Sequence, residues 1–281
     1  FHYSAIMSLC FDFFQKYVNF EENLMTRMTE LTNSLCKTIK ALDERKTRRK
    51  EHAFKAEGTK CVLDTLEHFS LRYLVATAAW LEEHLAETRN ISQELIIRCP
   101  KREMGRLSSL STPPEVIAVY DIPEYRFNDK CVLDNLVLAL DTIQDPGNLG
   151  TIIRVADWFG ITDILCSFET TDCFSPKVIQ ATMGSISRIK IHYCDLTETL
   201  KHIPKVNIYG TFLDGDNISD ITLNQNGVIV IGNEGNGISK EIEELVTHRL
   251  LIPSYPEGRP TGESLNAAIA TAITLAKFRG I

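Results

Sequence analysis

The chain has 281 residues, with 30 Lys and Arg against 37 Asp and Glu and a net charge of -7. This length predicts two compact domains, and the acidic balance argues against indiscriminate nucleic-acid binding, which needs clustered cations. No apolar run reaches the roughly 18 residues that cross a bilayer, and the eight cysteines form no C-x-x-C pair. We therefore expect a cytoplasmic protein with reduced thiols, no membrane segment and no metal.

Residues 1–26 are predicted to be an extension of unknown role, and residues 27–120 a first α/β domain. Its first helix, Thr29–Leu42, has apolar residues at helical spacing. Helices and strands then alternate in the order helix Thr59–His68, strand Arg72–Ala76, helix Ala78–Ala86, strand Glu94–Arg98, helix Arg102–Leu107 and strand Glu115–Val119. This alternation is typical of a small layered α/β unit.

A basic segment interrupts the acidic sequence of the first domain. Between Lys37 and Lys60, nine Lys or Arg residues stand against four acids. The densest part contains Arg45, Lys46, Arg48, Arg49 and Lys50. A solvated helix end is the commoner explanation of such a run, but in an acidic chain it also provides one face that can contact phosphates.

A second domain is predicted for residues 133–281, after a polar linker at residues 121–132 that contains Pro123. Its first strand, Asn135–Leu140, is an apolar run typical of parallel strands covered on both faces. The later elements are the strands Asp163–Cys166, Arg188–His192, Val206–Thr211, Val228–Ile231 and Arg249–Ile252, and an Ala-rich helix Ser264–Phe278.

Three polar, glycine-bearing loops follow strands of this domain, where open α/β sheets bind ligands. They cover residues 141–154, 232–237 and 253–266. Each alone has a structural explanation: Asn148 and Ser264 can cap helices, and Arg154, about one turn into a helix, would pair with an anion if buried. Three such loops in one domain are harder to explain structurally, and together they favour a ligand site.

These loops carry motifs of one known family. The sequences N-L-G-x-x-x-R at Asn148–Arg154, I-G-N-E-G-x-G at Ile231–Gly237 and I-P…E-S-L-N at Ile252–Asn266 resemble the signature motifs of the SpoU (TrmH-like) RNA ribose methyltransferases. The segment at residues 46–66 resembles the family's ribosomal-protein-like RNA-binding domain. The resemblance implies a SPOUT fold with a parallel sheet and a trefoil knot, S-adenosyl-L-methionine as cofactor, rRNA or tRNA as substrate, and a homodimer.

The resemblance also assigns residues. It implies a catalytic set of Arg154, Asn148, Glu234, Ser264 and Asn266. It implies a cofactor-binding set of Thr211, Gly232, Asn233, Ile252 and Leu265, and it favours RNA contacts for the five cations between Arg45 and Lys50. A guanidinium has no acceptor to offer, which argues against Arg154 as a simple base. The alternatives of a base, a phosphate relay and purely electrostatic stabilisation stay open for Arg154.

Two alternatives have different sequence requirements. An RNA-binding protein of the same fold without transfer activity would not need the motif residues, which are intact here. A dinucleotide-binding oxidoreductase would need G-x-G-x-x-G after its first strand, and Asn135–Leu140 is followed by no such pattern. The loop at residues 253–263 is longer than expected for the family, and its Arg259 can reach RNA or remain solvated.

Overall fold

The computed structural model describes residues 31–256, 262 and 264–281, so the predictions for residues 1–26 and Arg259 lie outside it. The chain divides into two compact units, the first made of the described residues up to Leu63 with Ser70–Asp121, and the second of Asp64–Phe69 with Ile122–Ile281. The first part of the chain contains α1 (Asn33–Ala41), α2 (Arg45–Glu51), β1 (Ala53–Glu57), α3 (Thr59–Thr65), β2 (Leu71–Ala76), α4 (Ala78–Glu83), α5 (Leu85–Thr88), β3 (Ile96–Arg98), α6 (Lys101–Met104) and β4 (Val116–Asp121).

The first unit is built on a four-stranded sheet in the order β1-β4-β2-β3. Strand β4 runs antiparallel to both its neighbours, whereas β2 and β3 are parallel. Ile39 of helix α1 and Leu42, which caps its C-terminal end, pack in one core with Val75 and Ile117 of the sheet. The predicted alternation of helices and strands is therefore present, with β1 as an additional strand that the sequence did not predict.

Strand β1 buries two charged side chains that bind each other. Lys55 is 2% exposed and Glu57 is 4% exposed, and their charged atoms lie 2.9 Å apart. Lys55 also binds the Asp43 carboxylate at 2.8 Å and donates to the Leu107 carbonyl at 2.6 Å. Burial by itself would raise the pKa of Glu57. The charge of Lys55 and hydrogen bonds from Ser108 and Ser109 nevertheless hold this pKa below its ordinary value.

The basic helix α2 presents most, but not all, of its cations to solvent. Arg48 is only 3% exposed, and its guanidinium donates to the carbonyls of Leu42 at 2.8 Å and Asp43 at 2.9 Å. The prediction that Arg48 contacts RNA is therefore wrong for this conformation, because the side chain faces inward and holds the α1–α2 turn. The exposed cations of the helix are Arg45, Lys46, Arg49 and Lys50.

The second unit is an α/β domain with a fully parallel sheet, as predicted. Its elements are β5 (Leu136–Leu140), α7 (Pro146–Trp158), β6 (Asp163–Cys166), α8 (Pro176–Thr182), β7 (Lys190–Tyr193), α9 (Leu196–His202), β8 (Ile208–Asn217), β9 (Gly227–Ile231), α10 (Lys240–Glu243), β10 (His248–Leu251) and α11 (Ala267–Phe278). The predicted linker is partly a component of this unit, since Val132 is in its core and Phe127 packs against it.

The six strands are arranged in the order β10-β8-β9-β5-β6-β7. Every pairing is parallel, and strands β5 and β9 are buried along their whole length, which explains their continuous apolar sequences. The chain leaves β5 toward β6 on one side and returns with β9 on the other, so the strand order reverses at β5. Such a switch point opens a crevice at the carboxyl ends of the strands.

Two further features bear on the predictions for the whole chain. No helix in the described ranges is both long and apolar enough to cross a membrane. The seven cysteines that the structure describes are free thiols. The trefoil knot implied by the resemblance stays a prediction.

Candidate active site

The three motif loops meet at the carboxyl edge of the parallel sheet. The first follows β5, the second follows β9, and the third follows β10. The first two loops are joined directly, because Asn233 donates from Nδ2 to the Thr142 carbonyl at 2.8 Å and the Ser239 N–H donates to the Asp141 carboxylate at 2.7 Å. Segments that are about a hundred residues apart in the chain thus form one continuous surface.

Four of the five predicted catalytic residues are connected by hydrogen bonds. Asn148 donates from Nδ2 to the Glu234 carboxylate, and Asn266 donates from Nδ2 to Asn148 Oδ1 at 2.8 Å. The Ser264 hydroxyl donates to the main-chain carbonyl of Glu234 at 3.3 Å. Each motif therefore contributes at least one member to a single polar network, in which Asn148 is the central link.

The two asparagines of the network differ in their relation to the helix caps. The cap of α7 is Asp145, whose carboxylate accepts from the Asn148 N–H at 2.8 Å, so the structural explanation of Asn148 as a helix cap is wrong. Asn266 rather than Ser264 caps α11, and its Oδ1 accepts from the N–H groups of Ala268 and Ile269. The side chain of Asn266 thus fixes a helix with its oxygen and the network with its nitrogen.

The second loop requires glycine at position 232. A Cβ there would lie 2.5 Å from the Gly237 carbonyl oxygen and 2.5 Å from the Ile238 nitrogen, which no side chain can accommodate. Asn233 and Gly237 exchange two backbone hydrogen bonds of 2.9 Å, and Gly237 has a φ of +69°, a conformation that favours glycine. The loop is therefore a tight hairpin that keeps the backbone at Gly232 accessible.

Arg154 is the predicted catalytic residue that stands apart from the network. It is an exposed residue of α7 and lies in the third turn of that helix, not one turn in as predicted. Within the described ranges, its guanidinium has no hydrogen bond or ion pair. It shares an exposed stripe with Thr151 one turn earlier and Trp158 one turn later. The guanidinium of Arg154 is thus exposed and not engaged by any of the described residues.

A cavity of about 540 Å³ opens beside the network, a volume within the range of small-molecule sites. All five residues of the predicted cofactor-binding set line it, and so do Glu234 and Ser264. The lining is a mixture of apolar side chains, such as Ile252 and Leu265, and the backbone of the glycine-rich loop. No cluster of His, Cys, Asp or Glu suited to hold a metal occurs among the described residues.

Comparison with known proteins identifies the family. Residues 135–276 match the model of the SpoU rRNA Methylase family, and residues 33–118 match an MRM3-like substrate binding domain. The 23S rRNA (guanosine(2553)-2′-O)-methyltransferase RlmP of Bacillus subtilis is 30% identical over 91% of this chain and 100% of its own length. The chain belongs to the SpoU family.

Solved structures agree with this assignment to the SpoU family. A putative RNA methyltransferase of the TrmH family from Porphyromonas gingivalis is 37% identical, with a TM-score of 0.76 over 88% of this chain and 98% of that one. An AdoMet-bound rRNA methyltransferase from Sinorhizobium meliloti is 30% identical, with a TM-score of 0.79 over 90% and 98%. The AdoMet complex of AviRb from Streptomyces viridochromogenes is 26% identical, with a TM-score of 0.75 over 88% and 97%.

The sequence did not predict one wall of the cavity in this SpoU protein. Phe212, Glu243 and Arg249 line the cavity, and Arg249 lies with its guanidinium carbon 3.7 Å from the centroid of the Phe212 ring. None of the three belongs to a signature motif. The available signal was their position, because Phe212 follows the predicted end of one strand and Arg249 opens another that leads into the third loop.

Proposed function

We propose that this protein transfers a methyl group from S-adenosyl-L-methionine to a ribose 2′-hydroxyl of RNA. The observation that carries the proposal is the convergence of Asn148, Glu234 and Asn266, one from each motif, beside a cavity of cofactor size. The chain is similar to enzymes whose names state this reaction on 23S rRNA, and we favour ribosomal RNA as the substrate class.

The residues around the cavity fit S-adenosyl-L-methionine. The apolar side chains of Ile252 and Leu265 suit the faces of an adenine ring, and Gly232 contributes bare backbone to the lining because the hairpin behind it admits no side chain. Thr211 and Asn233 add polar groups to the lining. The bound cofactor supplies a methyl group already activated by its sulfonium, so the protein has to align the hydroxyl and exclude water.

Arg154 is suited to the RNA side of the reaction. A guanidinium binds phosphate through paired N–H groups, and this one is exposed and free of partners among the described residues. In our proposal it orients the phosphate next to the target ribose and stabilises negative charge that develops on the 2′-oxygen. Because it has no acceptor, the hydroxyl proton passes to the phosphate oxygen or to solvent rather than to Arg154.

The network of Asn148, Glu234 and Asn266 has a supporting part in this mechanism. Two amide donors engage the Glu234 carboxylate and Asn148 Oδ1, which fixes the three loops relative to one another. Ser264 joins the third loop to the second through the Glu234 carbonyl. The network therefore holds the cofactor cavity and the helix that carries Arg154 in fixed positions, as alignment of reactants requires.

The first unit is proposed to bind the RNA substrate. The exposed cations Arg45, Lys46, Arg49 and Lys50 line one short helix, and phosphate neutralisation by such residues supplies most nonspecific affinity for RNA. The matched substrate-binding model over residues 33–118 supports the same role. An RNA substrate also favours a cytoplasmic location.

A homodimer would explain an exposed apolar stripe on the second unit. Ile269 and Ile273, one turn apart on α11, are 50% and 38% exposed, and Trp158 at the end of α7 is 84% exposed. Helices α7 and α11 pack together, and exposed apolar surface on neighbouring helices is typical of protein interfaces. We propose that a second copy covers this face, close to Arg154 on α7.

The proposal is tested by methyl transfer from radiolabelled cofactor to ribosomal RNA. Arg154→Ala should abolish transfer and leave the affinity for S-adenosylhomocysteine within about twofold, since its guanidinium does not line the cavity. Arg154→Lys, which keeps the charge but loses the planar fork, should retain a small part of the activity. A wild-type protein that binds RNA but transfers nothing would favour the alternative of an inactive RNA-binding protein.

A further inference from the structure

One wall of the cavity is a segment that bulges out of strand β8. Strand β10 pairs Arg249 with Gly210 and then Leu250 with Asp216, so residues 211–215 have no pairing partners on β10. This segment, the 211–215 bulge, supplies Thr211, Phe212 and Leu213 to the cavity lining. A chain segment that leaves its sheet pairing needs other contacts to keep one conformation.

Arg249 makes those contacts with side chains on two elements. Its guanidinium covers the ring of Phe212 at 3.7 Å, and one of its Nη atoms binds the Asp214 carboxylate at the outer end of the bulge. The other Nη atom binds Glu243 of α10. One side chain therefore connects the bulge to a helix that also lines the cavity.

Close backbone packing adds to this arrangement. A Cβ at Gly215 would lie 2.6 Å from the Arg249 carbonyl oxygen, so the end of the bulge lies directly on β10. At the other end, a Cβ at Gly210 would meet the Phe212 ring at 2.6 Å, which places that ring against the sheet. The bulge is thus held between the strand below it and the guanidinium above it.

Exposed ion pairs usually contribute little to folding stability, and the Asp214 side chain is 76% exposed. The contacts of Arg249 differ from such a pair because the planar fork engages two carboxylates while its face covers an aromatic ring, which lysine cannot reproduce. The Arg249 guanidinium is therefore already engaged by Asp214, Glu243 and the Phe212 ring. This engagement distinguishes it from Arg154, which has no partner among the described residues.

We propose that Arg249 is a positioning residue that clamps the 211–215 bulge and thereby sets the affinity of the cavity for its cofactor. The inference rests on the proposed function, since it takes the cavity as the cofactor site. Arg249 acts here through Phe212 and Asp214 rather than by touching the reacting atoms. Its effect belongs to cofactor binding and not to the methyl-transfer step.

The experiment measures binding of two probes by calorimetry. S-adenosylhomocysteine carries the amino-acid part of the cofactor, and 5′-methylthioadenosine lacks it. Arg249→Met should weaken both probes roughly tenfold, because loss of the clamp loosens the wall that both ligands contact. It should raise KM for the cofactor while kcat at saturation stays within about twofold. Arg249→Lys should fall between Met and the wild type.

The matched control is Arg188→Met. Arg188 forms an ion pair with Asp157 at 2.6 Å, and neither residue lines the cavity. This variant should bind both probes like the wild type, which excludes a general effect of losing a surface pair. If Arg249→Met does not fold, Asp214→Asn makes the same test, because Asp214 binds Arg249 but does not line the cavity, and it should weaken both probes in equal proportion.

Two results would overturn the inference. Weakened binding of S-adenosylhomocysteine with unchanged binding of 5′-methylthioadenosine would show that Arg249 pairs with the amino-acid part directly. Unchanged binding of both probes would show that the bulge needs no clamp. A wild-type protein that binds neither probe would contradict the proposed function itself, which separates the two failures.

Discussion

Replacing Gly232 with alanine should damage the cofactor cavity through one added methyl group. Its Cβ would lie 2.5 Å from the Gly237 carbonyl oxygen and 2.5 Å from the Ile238 nitrogen, whereas ordinary contacts begin at 3.4 Å. The atoms that the added methyl group would meet belong to the backbone, so rotation of a side chain cannot relieve the contact. The strand of the hairpin that contains Gly237 must move by about 1 Å to restore ordinary contact.

That movement has a cost in stability and in binding. Overpacking of this kind costs about 1–3 kcal/mol, which corresponds to a loss of roughly 3–10 °C in Tm for a domain of this size. It also pulls on the two 2.9 Å hydrogen bonds between Asn233 and Gly237. Since Gly232 and Asn233 both line the cavity, we expect the affinity for S-adenosylhomocysteine to fall at least tenfold.

Gly235→Ala is the matched control in the same hairpin. Its Cβ would meet nothing closer than the Asn233 Oδ1 at 3.5 Å, so the Tm should change by no more than about 2 °C. Calorimetric binding and thermal unfolding of both variants provide the measurement. Equal affinities and equal Tm values for the two variants would refute the reasoning that position 232 cannot carry a side chain.

Three further predictions concern other parts of the chain. Because folding lowers the pKa of Glu57, its stabilisation is complete above its ordinary value of 4.5 and is lost as the pH falls below it; Glu57→Gln should therefore flatten the loss of denaturant stability between about pH 6 and pH 3, and an unchanged slope would contradict this. Asn266→Asp keeps the helix cap but loses the donor to Asn148, so its Tm should stay near wild type while methyl transfer falls about tenfold; equal activity would argue against the network. Changing Arg49 and Lys50 together to Gln should reduce the slope of log affinity for RNA against log salt by about 1.5, and a slope that does not move would remove α2 from the RNA interface.

The parallel sheet could be predicted from the sequence because its central strands can be recognised from their own residues alone. Leu136–Leu140 and Gly227–Ile231 are buried on both faces, so almost every residue is apolar and the pattern needs no distant partner. Strand β1 was missed for the opposite reason. Its Lys55 and Glu57 look like surface residues, and only the fold brings Asp43 and the 107–109 segment to neutralise and hydrogen-bond them.

The site was predicted as a set of residues, but its geometry was not. Spacing alone placed Asn148 at a helix start, and nothing local shows that Asp145 takes the cap and frees Asn148 to reach Glu234, which is 86 residues away. Position in a basic run did not reveal that Arg48 faces inward. The Arg249 contacts were hidden for the same reason, because its partners lie on other elements.

The central claim is that this chain methylates a ribose 2′-hydroxyl with the motif loops around Asn148, Glu234 and Asn266 and with Arg154. Mapping of alkali-resistant linkages in ribosomal RNA tests it most directly, because a 2′-O-methyl group blocks cleavage at its own ribose. We expect one protected linkage in RNA from cells that carry the gene, its absence when the gene is deleted, and its return with the wild type but not with Arg154→Ala. A linkage map that is identical in all these cells, for ribosomal and transfer RNA alike, would contradict the account.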